Sequence, residues 1–205
     1  MTPSNHLVII DSGGANLASI RYAFERLGVK AVVSHDAAQI RAADRVVLPG
    51  VGNASTIMAR LDNFGLMPVV RSLSCPVLGV CLGMQLLFEW SAEGNTSGLG
   101  IIPGRIEPLH PRHDLPVPHM GWNTIRVLIE DPLLVGIGSD DWFYFVHGYA
   151  APTNSANTLA STNYGDDFSS IVRQSNFWGV QFHPERSGKS GARLLSNFLN
   201  LTPCA

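Results

Sequence analysis

Charge is scarce in this chain. Asp, Glu, Lys and Arg make up 15% of its 205 residues, and 14 basic against 16 acidic groups leave a net charge of −2. Lys and Arg never gather into a run, which speaks against nucleic acid or an anionic membrane surface as the main partner. Long apolar runs are missing as well: no stretch reaches the roughly 18–20 residues that a membrane span needs. The opening MTPSNHLVIIDSGG has no basic segment, no long apolar segment and no small-residue cleavage site, so it reads as a short strand rather than a leader. Cysteine is sparse too. Cys75, Cys81 and Cys204 are odd in number and too few for a disulfide framework, so a reducing cytoplasm is the expected compartment. The Cys75–Cys81 spacing suits no common zinc site, and HPRHDLPVPH (110–119) fits no standard ligand set, so no metal is expected. Gly13-Gly14 is too short for a dinucleotide fingerprint, and no cofactor is expected.

What the chain does have is 45% hydrophobic residues, 20 glycines and 13 prolines. That predicts one domain over residues 1–205, with a full core and many loops. Its low charge also suits partial cover by a partner.

The first half alternates between two periods. HLVIID (6–11), AVVSH (31–35), RVVLPG (45–50) and PVLGVC (76–81) read as strands, the last apolar enough to be buried on both faces. Between them NLASIRYAFERLG (16–28) places Ile20, Phe24 and Leu27 on one helical face with Gly28 as a stop. AAQIRAA (37–43) is a short helix, and 54–73 is helical material broken near Gly65 and Pro68. This order predicts an α/β fold, a doubly wound, mostly parallel sheet with flanking helices. Beyond residue 100 the texture turns to strands: GIIPGRIEPL, NTIRVLI, DWFYFVHGYA, NTLASTN and SIVRQSNFWGVQFH. A helix over 188–200 closes this β-rich second half.

Three short motifs carry chemistry. In Gly79-Val80-Cys81-Leu82-Gly83 a strand meets a helix-like run at a cysteine flanked by glycines, a G-x-C-x-G form of the nucleophile elbow. The glycines are expected to clear space for the thiol and for a substrate that must approach it closely, and the helix N-terminus favours a thiolate. A buried structural cysteine is the plainer alternative. Gln85, one turn on, is a lone amide among apolar neighbours and needs a partner, either a substrate or a neighbouring backbone. WGVQFHPERSG (178–188) supplies a base: His183 and Glu185 lie two apart on an extended segment and point the same way, while Pro184 rules against a helix. His183 can then serve Cys81 as base with Glu185 fixing its tautomer; a loop-capping histidine is the alternative. Pro49-Gly50-Val51-Gly52 leaves a buried strand and can turn N–H groups toward an oxyanion, or can simply be a strand-exit turn. Asp11 is either functional or a cap for the helix that follows.

PGVG, GVCLGMQLLF and FHPERSG, in that order, resemble the three signatures of the class I (triad) glutamine amidotransferases. Within them, DSGGANLASI, LGIIPGRIEPL, VPHMGWNTI and FYFVHGYA make the chain similar, nearly end to end, to the family of glutaminase subunits of imidazole glycerol phosphate synthases. That resemblance implies a Cys81–His183–Glu185 triad hydrolysing L-glutamine, with the oxyanion held by N–H groups of Leu82 and of Gly50, Val51 and Gly52. It implies that Gln85 and the backbone of His147, Gly148 and Tyr149 bind glutamine. It further implies a heterodimer with a (β/α)8 cyclase subunit that receives the ammonia for histidine biosynthesis. The turn-like VPHMGWN segment, with Met120, Trp122 and Asn123, and also Arg186, would then face that partner; an aromatic plugging the rim of its own core is the alternative. The chain departs from the family in Ala15, where a glycine is usual, and in Arg186, where lysine is common. The glutaminase subunit of pyridoxal phosphate synthase is disfavoured, because it carries a GGES-type motif where this chain has PGVG. A catalytically silent docking subunit and a cysteine hydrolase acting alone on esters or peptides are the remaining alternatives.

Overall fold

The computed structural model describes residues 6–13, 16–153 and 156–202; Gly14, Ala15 and Cys204, singled out above, lie outside them. Four strands, β1 (Leu7–Ile10), β2 (Ala31–Ser34), β3 (Arg45–Gly50) and β4 (Val77–Cys81), alternate with α1 (Leu17–Arg26), α2 (Ala37–Arg41), α3 (Ala54–Asn63) and α4 (Leu66–Arg71). The break in the third crossover falls at Gly65 alone, where φ is +64°. Pro68 sits within the first turn of α4, where its missing N–H has no bond to lose. Asp11 does not cap α1, whose N-cap is Asn16; its Oδ1 instead accepts from Gly13 N and Arg60 Nη2.

The run that leaves Cys81 stays helical for one turn only, α5 (Leu82–Gln85), before β5 (Phe88–Ser91) begins. Then come β6 (Thr96–Ser97), β7 (Ile102–Pro108), β8 (His119–Thr124), β9 (Arg126–Val127), β10 (Trp142–His147), β11 (Tyr149–Pro152), β12 (Thr158–Tyr164), β13 (Asp166–Gln174), β14 (Phe177–Val180) and α6 (Gly188–Asn200). Two readings from the sequence change here. The stretch 170–183 is a hairpin arm plus a second strand, turning at Ser175 where φ is +53°. VPHMGWN is no turn: His119–Thr124 pairs antiparallel with β10 over six residues as a separate two-stranded ribbon.

The main sheet runs β2-β1-β3-β4-β14-β13-β11-β7-β5-β6, with β9 and β12 attached beside β13. Its first five strands are mutually parallel and the order reverses about β1, the doubly wound arrangement; the remainder is mostly antiparallel. Alternation along the strands assigns the two faces. Leu7, Ile9, Val47, Leu78 and Val80 pack under α1 and α6 with Phe24, Leu194 and Phe198. Val8, Ile10, Val46, Leu48 and Val77 pack under the other helices with Ile40, Ile57, Leu61 and Val70. A parallel strand between two helical layers must be apolar on both faces, which is why these segments read as unbroken hydrophobic runs.

Candidate active site

Cys81 ends β4 and caps α5 with φ 54° and ψ −113°, one of three described non-glycine residues at positive φ. Holding such a residue costs on the order of 1–3 kcal/mol, so the surroundings must impose it. They do so through backbone contact. A Cβ on Gly83 would stand 1.9 Å from the Leu48 carbonyl oxygen of β3, and one on Gly50 would stand 2.6 Å from Gly83 N. A Cβ on Gly79 would meet Gly83 O at 2.7 Å. The space vacated by these glycines is therefore filled by the neighbouring backbone and not by substrate, which corrects the expectation from the sequence. The glycines let the elbow fold flat onto β3 and bring Gly50, Leu82 and Cys81 together. A single turn of α5 also offers much less helix dipole than the longer helix expected.

β14 lies beside β4, Val180 in register with Val80, and carries the chain on to His183; Pro184–Arg186 then form a turn of 3-10 helix, with Pro184 in its first turn, and not the extended segment expected from the sequence. The His183 N–H donates to Tyr144 O at 2.9 Å, and Ser187 Oγ donates to His183 O at 2.7 Å, so the backbone around the ring is anchored on both sides. His183 Nδ1 lies 2.8 Å from Glu185 Oε1, and Cys81 is close enough to the ring to act on its charge. Glu185 is fully buried and His183 nearly so. Burial by itself would push the imidazole pKa down, but the interactions with Cys81 and with Glu185 outweigh it and raise it to about 10. His183 therefore holds its proton at neutral pH.

Two contributors carried no signal in the sequence. Asn16 Nδ2 donates to Glu185 Oε1 at 2.7 Å from 169 positions away. Gln181 Nε2 donates to Cys81 Sγ at 3.8 Å while its Oε1 accepts from Gln85 Nε2 at 3.0 Å. The second proton on Gln85 Nε2 goes to Tyr149 O at 2.9 Å, so backbone and Gln181 together supply the partners that Gln85 needed. Cys81 Sγ also lies 3.7 Å from Val146 O on β10. Gly148 joins β10 to β11, and its carbonyl accepts from Leu109 N at 2.9 Å.

The remaining expected residues divide by face. Met120 and Trp122 point outward from β8 and are 63% and 53% exposed, so neither plugs the core. Trp122 meets Tyr144 edge-on at 5.8 Å, and the Arg186 guanidinium lies over the same Tyr144 ring at 4.8 Å. Trp142, also 53% exposed, begins the partner strand. Asn123 turns the other way: its amide nitrogen donates to Asn163 O at 3.0 Å and reaches His119 Nε2 at 3.4 Å. Of the histidines at 110–119, His113 pairs with Asp114 on the surface and His119 is buried beside His147. Among the described residues no three His, Cys, Asp or Glu side chains come together as a metal would require. A cleft of about 1080 Å³ lined by Arg126, Asp131, Val135 and Asp167 does not include the thiol.

Residues 8–201 match the family model for glutamine amidotransferase class-I. The chain is 50% identical to imidazole glycerol phosphate synthase subunit HisH of Xanthomonas oryzae pv. oryzae, covering 96% of this chain and 98% of that one. It is 49% identical to the HisH subunit of Idiomarina loihiensis over 97% of this chain and all of that one. A crystal structure of a glutamine amidotransferase superposes with a TM-score of 0.74 at 21% identity, covering 95% and 97% of the two chains, a likeness of fold alone. With 49–50% identity along almost its whole length, the chain belongs to the class-I glutamine amidotransferases, among the HisH subunits of imidazole glycerol phosphate synthase.

Proposed function

We propose that the chain hydrolyses L-glutamine to glutamate and ammonia as the glutaminase subunit of imidazole glycerol phosphate synthase, through Cys81, His183 and Glu185. The observation that carries this is the strained Cys81 elbow beside a histidine that Glu185 fixes at 2.8 Å. With the thiol proton already on His183, the sulfur attacks the side-chain amide carbon, and the C–O double bond opens to an oxyanion facing the N–H groups of Leu82 and of Gly50, Val51 and Gly52. Collapse breaks the C–N bond, and His183 gives its proton to the departing nitrogen, which leaves as ammonia. The neutral imidazole then takes a proton from water as the water adds to the glutamyl thioester, and the C–S bond breaks to release glutamate and return the sulfur and the protonated imidazole to their starting states. Gln85 has both amide protons engaged within the protein, so its oxygen is the atom left for substrate. The backbone of His147, Gly148 and Tyr149 takes the amino-acid end.

Ammonia in neutral water is mostly ammonium and a poor nucleophile, so a dry transfer to a cyclase subunit preserves its reactivity. The outward face of the β8–β10 ribbon suits that partner, because Met120, Trp122 and Trp142 are large apolar side chains exposed together there. No helix among the described residues is long and apolar enough to cross a membrane, and the cytoplasm is the compartment proposed. The test is glutamate release by the chain alone, with the cyclase subunit, and with that subunit plus its ribonucleotide substrate. Turnover that rises sharply in the assembled, substrate-bound complex supports the reading. A complex that uses free ammonia but never glutamine makes this a docking subunit instead.

A further inference from the structure

Behind the exposed face of the ribbon lies a buried chain of polar groups that the mechanism above does not use. His119 on β8 and His147 on β10 are opposite one another in register, both turned inward. His119 Nδ1 is 3.0 Å from His147 Nε2, and His147 Nδ1 is 2.9 Å from Tyr149 O. The direction of every bond follows from its end point. A carbonyl only accepts, so His147 Nδ1 carries a hydrogen. Burial holds the His147 and His119 pKa values down, to about 3 and about 4, so both rings are neutral. His147 Nε2 is then a bare acceptor, and His119 Nδ1 must carry the hydrogen between them. His119 Nε2 is in turn bare and faces Asn123 Nδ2, whose own orientation is set because Asn123 Oδ1 accepts from Thr124 N at 2.8 Å.

Tyr149 O thus receives two donors, the His147 ring and the Gln85 amide, each at 2.9 Å. Resting on the function proposed above, this carbonyl belongs to the peptide that meets the amino-acid end of glutamine. We infer that His119 is a positioning residue for glutamine binding: its Nδ1 hydrogen holds the His147 ring, and the ring holds the Tyr149 carbonyl against which Gln85 is set. Without that donor, His147 Nε2 is an unpaired acceptor packed against Phe145 and Phe168, and the ring is free to swing toward another partner or a water and leave Tyr149 O. The reacting amide, Cys81 and His183 lie beyond the chain's end, so the effect falls on binding more than on chemistry.

A packing role is the competing account, because the His119 ring is sandwiched between Phe145 at 4.9 Å and Tyr164 at 4.0 Å. Two substitutions separate them. His119→Phe keeps an aromatic ring in the sandwich and removes the donor. His119→Asn loses the ring but keeps an N–H near the position of Nδ1. In the assembled synthase, positioning predicts that His119→Phe raises KM for glutamine about tenfold while kcat falls less than about threefold. His119→Asn keeps KM within about threefold of the parent despite a lower melting temperature. The reverse ranking, or KM changes that simply follow melting temperature, overturns the proposal. A nitrogen–nitrogen scalar coupling across the His119 Nδ1–H···Nε2 His147 bond tests the donor direction without any turnover. Its presence supports the chain, and an unprotonated His119 Nδ1 overturns it even if the glutaminase reading stands. Conversely, a chain that shows the coupling but never hydrolyses glutamine rejects the functional reading and not the hydrogen-bond chain.

Discussion

Two groups of histidines lie close together in this protein, equally hidden from water and in opposite charge states. His183, at the end of β14, is raised to about 10, whereas His119 and His147, on the ribbon, are lowered to about 4 and about 3. Burial pushes all three down, so burial does not decide the outcome. What differs is the partner. His183 has a carboxylate on one edge and the charge of Cys81 acting on it, while the ribbon pair has a carbonyl, an amide and each other. A charged acceptor turns a buried imidazole into a stored proton, and neutral acceptors turn it into a directional strut.

The largest effect is expected from Cys81→Ala, which removes both the nucleophile and one cause of the His183 shift. Glutamine-dependent synthesis by the complex should fall by at least about 10⁴-fold. Synthesis from added ammonia should persist, and loss of both activities would mark the cysteine as structural. The His183 pKa, followed by NMR, should drop in that variant while the ribbon histidines stay put. Glu185→Gln comes next. An amide cannot hold an imidazolium as a carboxylate does, so kcat should fall about 10²–10⁴-fold with KM little changed. A variant at parental kcat would show that Asn16 and the backbone anchors orient the ring by themselves.

A smaller effect tests whether the two faces of β8 act separately. Trp122→Ala should weaken cyclase binding by about 1–2 kcal/mol, measured by calorimetry, with the melting temperature of the isolated chain nearly unchanged. If melting falls and affinity does not, the tryptophan serves the fold. The last test reads stability against pH and leaves activity aside. His183 has a folded pKa above its unfolded value near 6.5, so its contribution is complete below pH 6.5 and is lost as pH climbs toward 10. His119 and His147 have folded values below it, so their contribution is complete above pH 6.5 and is lost as pH falls toward 4 and 3. Melting followed across pH should therefore weaken on both sides, and Cys81→Ala should shrink the alkaline arm alone.

How much of this could be read from the sequence depended on the distance over which residues act. The parallel half was legible because each strand must be apolar on two faces and each helix on one, and those periods are local. The proposed triad could be picked out because Cys81 sits within its own G-x-C-x-G and His183 within two residues of Glu185. Asn16 was not, because its partner lies at the far end of the chain and an asparagine before a helix suggests a cap first. The His119–His147 contact was hidden for the same reason: only the register of β8 against β10 joins them, and VPHMGWN, rich in proline and glycine, looks like a turn. The helix after Cys81 was overextended because LGMQLLFEW is apolar without a clear period, and β7 captures its second half. There, pairing across the sheet outweighs local preference.

The position of β14 has a consequence for when the protein becomes reactive. It is among the last strands in the chain, yet it lies in the middle of the sheet, between β4 and β13. As the chain is synthesised, the cysteine emerges about a hundred residues before the histidine that serves it. Until β14 threads into its slot, the edge of β4 stays open and the sulfur has neither base nor carboxylate nearby. The proton store of the site thus arrives with the strand that joins the two halves of the sheet, and a chain that ends before it has the cysteine without the histidine and carboxylate.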